Sequence, residues 1–195
     1  MNSAAILAGG RATRFGGRDK SALVVEGQTI LDRQRAALGP LTSDLMIVGG
    51  DAADAAGARR ITDIVPGCGP LGGLHAALTA ARGDALFLVA GDMPYVTTAF
   101  VEYLLSLAAG ADAVVPRSER GYHPLCAVYT RACLEPAAAR LADRRLKMME
   151  FVDSLRARVV PVDDIRQFGD PDRLLANVNT PADYAGLEAL QGHKL

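Results

Sequence analysis

Short apolar runs alternate along this chain with longer stretches in which apolar residues recur at helical spacing. The runs at 3–8, 45–48, 58–65, 85–90 and 113–115 predict strands, several of them apolar on both faces as buried parallel strands are. Helices are predicted at 29–38, 71–82 and 98–109. This alternation predicts an α/β fold, a three-layer, Rossmann-like, twisted and mostly parallel sheet with helices on both faces.

The second half of the chain continues the alternation with fewer glycine-rich turns. Strands are predicted at 125–129 and 158–162, and helices at 131–142, 146–155 and 181–190, the last capped by Thr180 with Pro181 at its first position. No Pro/Ser/Gly linker marks a boundary. We therefore expect one domain over 1–195, whose part from about 116 extends the sheet and builds a substrate wall.

Composition narrows the possible partners. With 21 basic and 22 acidic residues the formal net charge is -1, so no global field favours nucleic acid or anionic membranes. No apolar stretch approaches the roughly 20 residues of a membrane span, and no signal peptide is evident, so we expect a cytoplasmic protein. The three cysteines and three histidines form no CxxC or HExxH motif, which argues against a disulfide framework and a zinc site.

A glycine-rich segment follows the first predicted strand directly. It reads Leu7-Ala8-Gly9-Gly10-Arg11-Ala12-Thr13-Arg14-Phe15-Gly16-Gly17-Arg18-Asp19-Lys20. Paired glycines let backbone N–H groups approach phosphate oxygens, and the arginines and lysine add charge at the sheet edge where open α/β folds bind ligands. Isolated Gly-Gly pairs are often plain turns. Two pairs that bracket arginines and end in a lysine favour a phosphate-binding loop, although neither the Walker A nor the GxGxxG spacing is present.

A second candidate group lies at the end of the apolar strand 85–90. Asp92, in Gly91-Asp92-Met93-Pro94, falls on the same rim as the glycine-rich segment. Mg²⁺ is usually held by one or two carboxylates plus substrate phosphates, so one aspartate is sufficient. An aspartate that merely forms a turn before proline is equally compatible with these four residues.

These motifs resemble the molybdenum cofactor guanylyltransferases (the MobA family) among the nucleotide-diphospho-sugar-transferase-like nucleotidyltransferases. Their signature is Leu-Ala-Gly-Gly, three variable residues, Arg, a hydrophobic residue, Gly-Gly, one variable residue and Asp-Lys, and 7–20 matches it. The resemblance implies that 1–115 is a nucleotide-binding half and 116–195 a pterin-substrate half. It also implies Mg²⁺ as the cofactor, held by Asp92.

The resemblance implies which residues bind the nucleotide. They are Leu7, Ala8, Gly9, Gly10, Lys20, Gly49, Asp63, Gly69, Pro70, Gly72 and Asp92. Relatives can carry Asn at the position of Gly49. The Gly69-Pro70-Leu71-Gly72 element lies by the guanine ring in the family, while small residues at a helix start also permit close packing. Arg14, Lys20 and Asp92 are the expected catalytic residues.

The implied reaction is attack by a molybdopterin phosphate oxygen on the α-phosphorus of GTP, with release of pyrophosphate. The residues expected to bind the pterin substrate are His123, Arg144, Arg145, Lys147, Asn177 and Asn179. Each has a structural alternative, because asparagines before a helix often bond to backbone groups and a basic run is often a solvated helix face. A histidine before proline can likewise cap a strand.

The expected partners are GTP and molybdopterin. We also expect a monomer with transient contacts to proteins that supply molybdopterin or mature molybdoenzymes. Three alternatives remain: a cytidylyltransferase acting on the same cofactor, another small-molecule nucleotidyltransferase, and a non-catalytic GTP-binding adaptor. Gly9-Gly10 and Asp19-Lys20 favour the guanine enzyme, because the cytidylyltransferase motif usually begins Leu-Ala-Ala-Gly.

Overall fold

The computed structural model describes residues 1–8, 23–49, 57–62, 64–65 and 67–178. The strands are β1 (Asn2–Leu7), β2 (Val24–Val25), β3 (Gln28–Thr29), β4 (Leu45–Val48), β5 (Arg59–Ile61), β6 (Ala85–Ala90), β7 (Ala113–Ser118), β8 (Gly121–Tyr122), β9 (Cys126–Thr130) and β10 (Ala157–Val160). The helices are α1 (Ile30–Leu38), α2 (Gly69–Ala80), α3 (Thr98–Ser106), α4 (Leu134–Ala142), α5 (Met148–Asp153), α6 (Val162–Arg166) and α7 (Pro171–Leu174).

Eight of these strands form one sheet in the order β10-β7-β9-β6-β1-β4-β5, with β8 paired to β7. The pairs β1–β4, β1–β6, β4–β5 and β7–β10 are parallel, and β9 runs antiparallel between β6 and β7. A parallel neighbour would require a crossover of a dozen residues or more, whereas only the short β8 segment connects β7 to β9. The second half of the chain thus extends the same sheet.

Helices cover both faces of the sheet because the central strands are apolar on both sides. Along β6, Leu86 and Leu88 pack into a core with α2, α4 and α5, whereas Phe87 and Val89 pack into a second core with α1, α3, α6 and α7. The alternation of side chains along a strand sends neighbouring residues to opposite faces. The buried strand therefore supports three layers.

Several element boundaries differ from the predictions. Strands 45–48 and 85–90 have the predicted bounds, but the strand predicted at 58–65 spans only Arg59–Ile61, because it is a half-exposed edge strand. The helix predicted at 146–155 shortens to Met148–Asp153. The predicted helix 181–190 lies outside the described residues. No helix in the described ranges is long and apolar enough to cross a membrane.

A buried polar network closes the amino edge of the sheet, where the parallel strands begin. The Asp44 carboxylate accepts hydrogen bonds from Ser3 Oγ at 2.6 Å, the Arg82 backbone N–H at 2.9 Å, and Arg59 Nε and Nη2 at 2.9 and 2.6 Å. Burial raises the pKa of Asp44, but the hydrogen bonds and the Arg59 charge outweigh burial and hold the pKa below its ordinary value. The network joins β1, β4 and β5 with its charges paired.

Candidate active site at the carboxyl edge of the sheet

The carboxyl ends of four parallel strands lie at the opposite edge of the sheet, the carboxyl edge. Backbone hydrogen bonds join these ends: Ala8 N donates to Val48 O at 3.0 Å, Gly49 N to Ile61 O at 3.0 Å, and Gly91 N to Leu7 O at 3.0 Å. Gly49 adopts φ of 73°, which favours glycine, so its backbone turns where β4 ends. The predicted nucleotide-binding residues Leu7, Ala8 and Gly49 therefore lie on one edge, as open α/β ligand sites do.

Several predicted site residues lie outside the described residues. They are Gly9, Gly10, Arg14, Lys20, Asp63 and Asn179, together with the rest of 9–22. The chain enters 9–22 from the end of β1 and leaves it at Leu23, whose carbonyl accepts a hydrogen bond from Ile30 N at 2.9 Å. The described structure thus gives both ends of the glycine-rich segment.

Asp92 occupies the third position of a tight turn that ends β6. Met93 N donates to Ala90 O at 3.3 Å across this turn. The Asp92 side chain is half-buried, and its Oδ1 accepts a hydrogen bond from Asn177 Nδ2 at 3.1 Å, while its carbonyl accepts from Val178 N at 2.8 Å. The structure thus brings together two predicted site residues 85 positions apart.

The arrangement around Asp92 suits a divalent cation held mainly by its substrate. The residues that the structure describes contain no group of three or more His, Cys, Asp or Glu side chains able to hold a metal ion. A single carboxylate fits Mg²⁺, which usually takes one or two protein carboxylates and completes its shell with phosphates and water. The neighbouring Asn177 amide orients the carboxylate without neutralising its charge.

The Gly69-Pro70 element begins α2 at the same edge. Gly69 has φ of 59°, and a Cβ on Gly72 would lie 2.9 Å from the Cβ of Cys68, so close packing requires glycine there. The packing interpretation of Gly72 is therefore supported. Any contact of this element with a nucleotide would come from the start of α2.

Arg144 is exposed just after α4, and its guanidinium reaches the start of α2. It follows α4 with φ of 56°, and its Nη1 donates to Cys68 Sγ at 3.6 Å. Because β9 is antiparallel, α4 runs back toward the carboxyl edge and ends there. Arg144 thus lies between the two predicted halves of the site.

The other predicted basic residues, Arg145 and Lys147, are exposed as well. Lys147 Nζ pairs with Glu150 at 3.0 Å, and Glu150 also pairs with Arg140 Nη2 at 3.1 Å. Arg145 is exposed next to Arg144. Lys147 is thus engaged in an ion pair on α5.

His123 lies near the end of β6, because Leu125 O accepts a hydrogen bond from Ala90 N at 2.8 Å. The His123 ring nitrogen Nε2 lies 2.7 Å from Ser118 Oγ. Burial lowers the pKa of His123, the positive charge of Arg120 lowers it further, and Asp172 opposes both. The imidazole is therefore neutral near pH 7, with one ring nitrogen that donates a hydrogen bond and one that accepts.

Two groups near the Asp92 turn were not predicted from the sequence. Gln34 is buried in α1 and donates from Nε2 to Ala90 O at 2.7 Å and to Met93 O at 3.0 Å. The sequence carries one indication of this contact, because Gln34 is a polar residue on the apolar stripe of α1 that includes Ile30 and Leu38.

The second group is an ionic cluster formed by Glu26, Arg33 and Arg173. Glu26, at φ of 52° in the turn between β2 and β3, pairs with Arg33 Nη1 at 3.0 Å and with Arg173 Nη2 at 2.5 Å. The guanidinium carbon of Arg173 lies 4.2 Å from the centre of the Tyr95 ring. The cluster joins the chain just after 9–22 to the chain just after Asp92, and only the fold brings these charges together.

Comparisons with known proteins identify what this chain resembles. A family model for the MobA-like NTP transferase domain matches residues 4–159. The chain is 33% identical over 180 residues to a protein of Pelotomaculum thermopropionicum named "Probable molybdenum cofactor guanylyltransferase", covering 91% of this chain and 87% of that protein. It is also 33% identical over 188 residues to the molybdenum cofactor guanylyltransferase of Desulfosudis oleivorans, covering 94% and 93%.

Among solved structures, the molybdopterin-guanine dinucleotide biosynthesis protein A of Archaeoglobus fulgidus has the same fold. The TM-score is 0.83 at 26% identity, over 98% of this chain and 99% of that one. This likeness confirms the predicted α/β fold class.

Proposed function

The chain belongs to the MobA-like NTP transferase family, and we propose that it transfers GMP from GTP to the terminal phosphate of molybdopterin. The observation that carries this proposal is the meeting of the β1 end, the α2 start and the Asp92 turn at one sheet edge, in a chain whose relatives are named molybdenum cofactor guanylyltransferases. The enzyme is a nucleotidyltransferase, and we propose that it depends on Mg²⁺ and works in the cytoplasm as a single chain.

The proposed nucleotide site begins at the end of β1. Leu7, Ala8, Gly9 and Gly10 offer backbone N–H groups to the phosphates, and Lys20 adds a positive charge. Gly49, Asp63, Gly69, Pro70 and Gly72 surround the nucleoside. Support comes from the described members of this set, since Leu7, Gly49 and Gly69 lie at the ends of β1 and β4 and at the start of α2.

Asp92 is the proposed ligand of the magnesium ion. When bound, Mg²⁺ neutralises phosphate oxygens and supplies electrostatic stabilisation to the charge that develops at phosphorus. The hydrogen bond from Asn177 Nδ2 selects one orientation of the Asp92 carboxylate.

The proposed reaction is an in-line displacement at the α-phosphorus of GTP. A phosphate oxygen of molybdopterin forms the new P–O bond as the α–β bridging P–O bond breaks, and pyrophosphate leaves with the electron pair. The attacking phosphate is already anionic, so no general base is required. The enzyme must align two repelling anions and stabilise charge, and Arg14 and Lys20 carry out the charge stabilisation in our proposal.

The pterin substrate is proposed to bind from the second half, 116–195. His123 lies by the end of β6, and Arg144 reaches the start of α2, and these positions support the proposal that both bind a molecule approaching Asp92 from that side. Asn177 and Asn179 would bind the pterin edge, with Asn177 also holding Asp92. Arg145 and Lys147 would contribute positive charge toward the terminal phosphate.

Pyrophosphate release tests the proposed function. Purified protein with Mg²⁺ and molybdenum-bearing molybdopterin is given each of the four ribonucleoside triphosphates in turn. We expect release with GTP and much less with CTP. Equal or faster release with CTP would overturn the guanine assignment, and tight GTP binding without release would support the binding adaptor instead.

A further inference from the structure

We propose that Gln34 is a positioning residue that holds the Asp92 turn in the geometry needed for metal binding. This inference rests on the proposed function, because it takes Asp92 as the metal ligand. Gln34 lies in α1, far from Asp92 in sequence and outside the motifs that suggested the function.

Gln34 donates hydrogen bonds to both ends of the turn. Nε2 donates to the carbonyl of Ala90, the first residue, at 2.7 Å and to the carbonyl of Met93, the fourth, at 3.0 Å. Both protons of one amide nitrogen are thus used on the two residues that bracket Gly91 and Asp92. A rotation of either peptide would break one of these hydrogen bonds.

Arg33, the neighbouring residue of α1, donates a further hydrogen bond to the same segment. Arg33 Nε donates to Pro94 O at 3.0 Å, so two consecutive residues hold the carbonyls at 90, 93 and 94. The start of α1 is itself fixed, because Thr29 caps it by accepting a hydrogen bond from Asp32 N at 3.0 Å. The turn is therefore held by a capped helix.

The unpaired oxygen of the Gln34 amide indicates that this residue does more than fill space in the core. The residue is 1% exposed, and its Oε1 has no hydrogen-bond partner within the described part of the chain. A buried acceptor without a partner is destabilising, whereas leucine or methionine would fill similar space without that cost. Exchanging the amide nitrogen and oxygen would place Oε1 against two carbonyl oxygens, so the donor assignment follows from the geometry.

Other contacts of the turn show what Gln34 adds. Gly91 N bonds to Leu7 O, and Asn177 and Val178 hold the carboxylate and carbonyl of Asp92. None of these contacts restrains the carbonyl of Met93. Loss of the Gln34 amide would leave that end of the turn without its side-chain donor, and Asp92 would sample a wider range of orientations.

Binding of Mn²⁺, followed by electron paramagnetic resonance in the presence of GTP, tests the proposal without relying on turnover. We expect Gln34→Met to weaken Mn²⁺ binding about tenfold, as loss of a residue that orients a metal ligand commonly does. Turnover with Mg²⁺ should fall at low metal and recover toward the wild-type kcat at high metal. A change in packing alone would not shift the metal dependence.

Ser3→Ala is the matched control, because Ser3 is also buried and hydrogen-bonded but lies at the amino edge. It should lower the thermal midpoint without changing Mn²⁺ binding. Should Gln34→Met fail to fold, Gln34→Leu lacks the same donor and carries the same expectation. Wild-type Mn²⁺ binding in the folded Gln34 variant would overturn the positioning role.

Asp92→Asn separates this proposal from the function on which it rests. If Asp92→Asn abolishes Mn²⁺ binding while the Gln34 variant binds normally, only the role of Gln34 is wrong. If Asp92→Asn binds Mn²⁺ as the wild type does, the placement of the metal on Asp92 is wrong and the Gln34 proposal falls with it.

Discussion

The two edges of the central sheet each hold an aspartate that closes a hydrogen-bond network, and the two networks differ in charge and exposure. At the amino edge, Asp44 is buried and receives hydrogen bonds from Ser3, Arg82 and the guanidinium of Arg59. At the carboxyl edge, Asp92 is half-buried and receives the neutral amide of Asn177.

This difference indicates what each network can do. A guanidinium neutralises Asp44 and leaves little capacity for another ligand, whereas the Asn177 amide orients Asp92 and carries no charge of its own. The amino edge thus stabilises the fold, and the carboxyl edge is suited to a cation and its phosphates. Changes at the two edges should therefore separate stability from activity.

The largest effect is expected for Asp92→Asn. The substitution should lower kcat about 100-fold to 1,000-fold, as loss of a group that stabilises transition-state charge commonly does. The thermal midpoint should change little, because Asp92 is only half-buried. Pyrophosphate release at saturating GTP measures kcat, and turnover within threefold of wild type would contradict the role of Asp92.

Asp44→Ala should show the reverse pattern. Removing the carboxylate leaves Ser3 Oγ, Arg82 N and Arg59 without their acceptor, and we expect the free energy of unfolding to fall by about 3 kcal/mol. Urea unfolding measures this loss. At a temperature where the variant is folded, kcat/KM for GTP should match the wild type. A large fall in turnover with unchanged stability would contradict the assignment of Asp44 to stability rather than activity.

One glycine at each edge, Gly83 at the amino edge and Gly91 at the carboxyl edge, can be replaced by alanine to compare the effect of a backbone shift at the two edges. A Cβ on Gly83 would lie 2.5 Å from Met1 O, and a Cβ on Gly91 would lie 2.9 Å from Leu7 O. Either alanine forces a backbone shift, with an expected loss of about 1–3 kcal/mol in stability. Only Gly91→Ala moves the chain that enters the glycine-rich segment, so only it should lower turnover, by about tenfold or more. Equal turnover in the two variants would count against this assignment.

The smallest effect is expected in the acid dependence of stability. Because the pKa of Asp44 in the folded state lies below its ordinary value of 3.8, the unfolded chain binds more protons between these two values. The stabilisation by Asp44 is therefore complete above the ordinary pKa and is lost as pH falls through the folded pKa. Its contribution to the slope is at most about 1.4 kcal/mol per pH unit.

Urea unfolding of wild type and Asp44→Asn from about pH 5 to about pH 2.5 measures this slope. The variant should show a shallower loss in that window. Parallel curves would mean that other carboxylates account for the acid sensitivity.

Most of the sheet could be predicted because its strands are marked by local pattern. The runs 45–48 and 85–90 are apolar on both faces and have the predicted bounds. Edge strands carry a weaker pattern, which is why the strand predicted at 58–65 has only three residues. The antiparallel direction of β9 depends on the length of its connection to β7, which apolar periodicity does not encode.

The candidate site was predictable where residues follow a strand directly. Asp92 and the segment from Leu7 could be assigned to one edge because the carboxyl ends of parallel strands share it, whereas Gly49 was predicted only from the family resemblance. The hydrogen bond between Asn177 and Asp92 was not predictable, since it joins residues 85 positions apart. Arg144 was predicted to bind the pterin substrate, with a solvated helix face as the alternative, and its contact with Cys68 depends on the packing of α4 beside α2, which sequence spacing does not encode.

The sequence by itself determined the α/β class, the family resemblance and the residues available for phosphate and metal chemistry, because periodicity and motif spacing are local properties of the chain. Only the tertiary structure decided which aspartate is neutralised by an arginine and which is held by an amide. It also decided that Gln34, a polar residue on an apolar stripe, lies against the Asp92 turn. Such partnerships arise when distant segments pack together, and a hydrogen bond depends on that packing rather than on sequence spacing.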